Sequence, residues 1–81
     1  MFANIEEEIY NSTFDSIYYA LMEEYKEGSL SVETLEMNIT EQQQILLNGL
    51  FEGETKFAYS SALVDAHQFA LAVIKKEKTI D

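Results

Sequence analysis

The sequence has no cysteine, no proline and no arginine, and only three glycines. Without cysteine there can be no disulfide, no thiolate metal site and no thiol nucleophile. Without proline, nothing forces a helix to break in its interior. Without arginine, all five bases are lysines, set against fifteen acids, for a formal charge of −10. Nucleic-acid binding draws its affinity from Lys and Arg neutralising phosphates. This chain is instead repelled by DNA, RNA and anionic membranes, and its field favours a basic protein surface.

Signals for sorting are also scarce. Met1-Phe2-Ala3-Asn4-Ile5-Glu6 carries no basic n-region and is not read as a signal peptide. The most apolar stretch, Ala66 to Ile74, holds His67 and Gln68 and is too short to span a bilayer. The expected location is cytoplasmic. Asn11-Ser12-Thr13 and Asn38-Ile39-Thr40 are read as chance matches to the glycosylation pattern.

The 81 residues make room for one domain with a thin core. Gly28, Gly49 and Gly53 punctuate three segments of helical periodicity. The first is predicted over about 5–27. Tyr10, Phe14, Ile17, Leu21 and Tyr25 form its stripe, with Tyr18 beside it, while Phe2, Ile5 and Ile9 make a smaller patch. Asn4 and Glu7 suit a capping box, and Gly28 a stop. The second is predicted over about 32–52, with Ser31 as N-cap and Leu30 and Leu35 at the hydrophobic-staple positions. Val32, Leu35, Ile39, Leu46 and Leu50 share its stripe, and Gln42 and Gln43 interrupt it, as a solvated notch or a buried polar contact. The third is predicted over about 56–76, with Thr55 as a cap. One face holds Tyr59, Ala62, Ala66, Phe69, Ala70 and Val73, and Leu63 and Ile74 widen it. The other side, with Phe57, Val64, Leu71 and Ala72, is apolar too.

Short connectors favour antiparallel neighbours. The fold expected is an all-α, up-down-up three-helix bundle, with a hairpin turn at Glu52-Gly53-Glu54-Thr55. A single chain is not expected to cover both apolar sides of the third helix, so the sequence predicts a homodimer through Phe57, Val64 and Leu71.

No chemistry-bearing motif emerges. Consecutive glutamates in Glu6-Glu7-Glu8 diverge by about 100° each and do not converge on one ion. Glu23 and Glu27 lie one turn apart, but the Glu-x-x-His pattern of helical di-metal sites is missing. His67, the only histidine, reads as a boundary residue donating a hydrogen bond, and Asp65 points elsewhere on the helix. Ser60-Ser61 has no adjacent base, and Gly49 to Gly53 is not a phosphate loop. No catalytic residue, cofactor or metal is expected.

The function expected is protein–protein binding, as a regulator or inhibitor of a partner with a basic surface. The candidate surface is Glu6, Glu7, Tyr19, Glu23, Glu24 and Glu27. The rivals are a structural homo-oligomer packing through the third helix and a carboxylate-based metal-binding protein. The short, acidic composition is in the style of bacterial or phage accessory proteins. The charge is uneven: residues 1–54 hold twelve acids and one lysine, a net −11, whereas residues 55–81 hold three acids and four lysines, a net +1.

Overall fold

The computed structural model describes residues 4–48 and 54–79. They form three helices and no strand: α1 (Asn4–Glu27), α2 (Val32–Leu47) and α3 (Glu54–Thr79). At about 1.5 Å per residue, α1 and α3 are rods of roughly 36–39 Å and α2 is shorter, about 24 Å. They set the long axis of the 43 × 24 × 19 Å molecule.

The α1–α2 corner is built from local signals. Gly28 adopts φ +85°, a left-handed conformation that a Cβ would strain. The Gly28 N–H donates to the Tyr25 carbonyl at 3.1 Å and the Ser29 N–H to the Glu24 carbonyl at 3.0 Å, closing a Schellman motif. Ser31 then caps α2, its Oγ accepting from the Thr34 N–H at 3.1 Å. Such a cap is worth about 1 kcal/mol. Leu30 and Leu35 are both buried in one cluster, as a hydrophobic staple requires.

The helix boundaries differ from the sequence reading in four places. Asn4 is itself helical and does not stand ahead of the helix as its cap. α2 stops at Leu47, where the Asn48 N–H closes on the Gln44 carbonyl at 2.9 Å. α3 begins at Glu54, which puts Thr55 inside the helix, and it runs on to Thr79. Phe2, Leu50, the expected end of the second helix over 49–52 and the Gly53 stop lie outside the described residues.

α3 packs against both other helices, while the α1 and α2 backbones stay apart among the described residues. Tyr10 meets Asp65 and Phe14 meets Phe69, so α1 and α3 run parallel. Lys75 reaches Glu36 and Ile74 clusters with Leu35, so α2 runs back along the C-terminal part of α3. The topology is up-down-up, with α3 in the middle.

A single ridge lets α3 serve this role. Ala58, Ala62, Ala66, Ala70 and Ile74 follow one another at steps of four, and all are fully buried. A step of four turns about 40° around an α-helix, so the ridge winds from one flank of α3 to the other. At its far end Ala70 and Ile74 join Leu21 of α1 and Leu35 and Ile39 of α2 in the main core. The alanines bring backbones close. Tyr59 and Phe69, expected on this face, are pushed to its margins and half exposed.

The expectation that one chain leaves the second side of α3 uncovered is corrected in part: Phe57 and Ala72 are exposed, but the residues between them on that side are covered. Val64 is only 5% exposed within the single chain, and Leu71 packs against the main core. Of the three residues assigned to self-association, Phe57 alone is exposed.

Candidate functional site

The six residues assigned to a partner surface do not form one patch. Glu6 is 8% exposed, because it lies one turn before Tyr10 on the stripe that faces α3. It is removed from the surface. Tyr19 is 68% exposed and shares its outward line with the half-buried Glu23 and the exposed Glu27, at steps of four. Glu7 and Glu24 are exposed on other lines of α1.

A different arrangement stands at the α1–α3 seam. Tyr10, Phe14 and Tyr18 follow at steps of four along α1, with ring centroids 6.2 and 6.3 Å apart and interplanar angles of 25° and 16°. Phe69 of α3 lies nearly perpendicular to this stack, its centroid 5.8 Å from Phe14 at 81° and 5.2 Å from Tyr18 at 89°. Offset stacks and T-shaped pairs are the favoured arrangements of aromatic quadrupoles. The three α1 rings are half-buried and Phe69 is 50% exposed, so the cluster is open to solvent along one side.

The stack is anchored at one end. The Tyr10 hydroxyl donates to Asp65 Oδ2 across the seam. Burial, the hydrogen bond to Asp65 and the carboxylate charge together push the Tyr10 phenol up to about 12. The sequence puts Tyr10 and Phe14 on the apolar stripe with Tyr18 beside it, but periodicity alone does not say that Phe69 stays open.

His67 is buried, and its Nδ1–H donates to the Leu63 carbonyl one turn back at 2.6 Å. Asp65 accepts from Tyr10, so the two side chains face different neighbours. Among the described residues no group of three or more His, Asp or Glu side chains is placed to hold a metal ion. Gln42 and Gln43 are half-buried. A shallow depression on α2 is lined by Met37, Thr40, Glu41 and Gln44.

The stretch Lys56–Glu77 of α3, with mean hydropathy 1.2, is long and apolar enough to cross a membrane by length and composition. This revises the shorter estimate from Ala66 to Ile74. Of its most apolar 18-residue window, 39% is buried inside the bundle, and the core helix of a bundle meets the same measure. No protein-family model matches this chain, and neither a curated protein nor a solved structure is similar to it.

Proposed function

We propose that this protein is non-enzymatic and acts by binding another protein, as a small accessory regulator or inhibitor of a partner with a basic surface. The observation that supports this reading is the placing of charge on the fold. The net −11 belongs to residues 1–54, and α1 and α2 flank the nearly neutral α3. Ten of these acids lie on α1 and α2, all exposed except the buried Glu6 and the half-buried Glu23, and their field reaches an approaching surface. Charge of one sign over a face raises association rates and rejects like-charged partners.

Capture from the source-cell lysate tests the proposal. A basic protein is expected on the immobilised chain at roughly 0.1 M salt and to be lost near 1 M, where the screening length falls from about 10 Å to about 3 Å. Salt-insensitive capture, or capture of nothing, sinks the charge-driven reading. The rival reading, a homo-oligomer through α3, rests on the exposed Phe57. Light scattering that returns a clean monomer at micromolar concentration removes it.

A further inference from the structure

We infer that the open aromatic seam between α1 and α3, not the Tyr19 face, is the docking surface, and that its occupant is an arginine- or lysine-bearing segment of the partner. This rests on the basic-partner reading above and names where that partner is held.

Three observations carry it. The first is the half exposure of Phe69, in a cluster with Phe14 and Tyr18. Aromatic residues that pack on one side and stay open on the other are enriched at protein interfaces. The second is ring geometry. Tyr10, Phe14 and Tyr18 form a nearly parallel ladder, fixed at Tyr10 by the bond to Asp65, so the arrangement of the rings is set in advance. A ring face is the negative pole of its quadrupole and attracts a cation within about 6 Å of the centroid. The third is the charge beside the seam. Glu7 lies two turns before Phe14, and Asp15 one turn before Tyr18; both are exposed. Asp65 sits at the Tyr10 end.

These charges also choose between occupants. A second copy would bring its own Glu7, Asp15 and net −10 against the same groups. A cationic segment gains from every one of them. By contrast, Tyr19 is an isolated ring with no aromatic neighbour among the pairs described.

The test is an NMR titration of the full wild-type chain at low salt. The probe is a short synthetic peptide alternating arginine and serine, with its glutamate counterpart as control. Saturable shifts are expected at Phe14, Tyr18, Phe69 and Glu7, with contacts from arginine side chains to the Tyr18 and Phe69 rings. The glutamate peptide should produce none. Phe69→Leu and Tyr18→Leu keep apolar bulk but remove a ring face, and each should weaken binding about five- to tenfold, whereas Tyr19→Leu leaves it unchanged. Because the mapping uses the wild type, an unfolded variant does not leave the question open. Shifts confined to Tyr19, Glu23 and Glu27 overturn the seam while the basic-partner reading stands. No binding of the arginine peptide overturns the seam. If lysate capture also fails, the wider reading falls with it. Seam shifts that grow with protein concentration alone, with dimer in sedimentation, show a second copy there and overturn the proposal.

Discussion

Tyr10 shows how one side chain ties a stability effect to a pH range. Its phenol titrates near 10 in an unfolded chain and is pushed up to about 12 in the folded one. The folded state therefore holds this proton more tightly. The stabilisation is fully present below pH 10 and fades as pH rises through 12. Ultraviolet titration of the five tyrosines should show one ionising near the upper end of that window, and Tyr10→Phe should remove that step. Denaturant melts should show the wild type losing more stability than Tyr10→Phe between pH 10 and 12. Equal losses in the two proteins would mean that Asp65 does not hold the hydroxyl. Glu6 carries the opposite lesson at the same scale. Its spacing from Tyr10 is visible in the sequence, but its charge placed it on the expected partner surface. Position on a stripe outweighed residue type.

The helices themselves were legible wherever local chemistry decides. Gly28, Ser31 and the Leu30–Leu35 pair are close-range signals, and all three act as read. The end of α2 was less legible, because Gln42 and Gln43 break the apolar spacing and Asn48 closes the helix before the next glycine. The cover over α3 was not legible at all. Periodicity says which faces are apolar but not which neighbour hides them, and the small residues of the alanine ridge displace the larger Phe69 to the rim. The same contrast gives a prediction for α2. Leu35 is fully buried whereas Leu47, on the same helix, is 84% exposed. Leu35→Ala should cost about 2–5 kcal/mol, as cavity-forming changes do. Leu47→Ala should stay within about 0.5 kcal/mol. Urea unfolding of the two variants measures both, and similar losses would contradict the packing of α2 on α3.

For the molecule as a whole, the excess of acids is a stability cost as well as a recognition device. Ten uncompensated charges repel one another more in the compact state than in the open chain. The Lys75–Glu36 pair is exposed, and pairs of this kind contribute only about 0–1 kcal/mol. Screening should therefore help more than it harms. Raising sodium chloride from about 0.05 M to about 0.5 M is expected to raise the melting temperature by several degrees, since about 1 kcal/mol moves a domain of this size by roughly 4–8 °C. Calorimetry or circular dichroism reads this directly. A fall in melting temperature would mean that attractive pairs outweigh the repulsion.

The central place of the last helix also bears on how the chain is made. A ribosome delivers α1 and α2 first, at roughly 5–20 residues per second. Neither has its main packing surface until α3 emerges, for their backbones do not meet. During that interval the apolar stripes around Leu21 and Leu35 lack Ala70 and Ile74, the part of their core that α3 supplies. The nascent segment is then shielded from aggregation chiefly by its own charge, the −11 carried by residues 1–54. The acids that face outward in the finished bundle thus act earlier as well, keeping an unpartnered chain in solution until its core arrives.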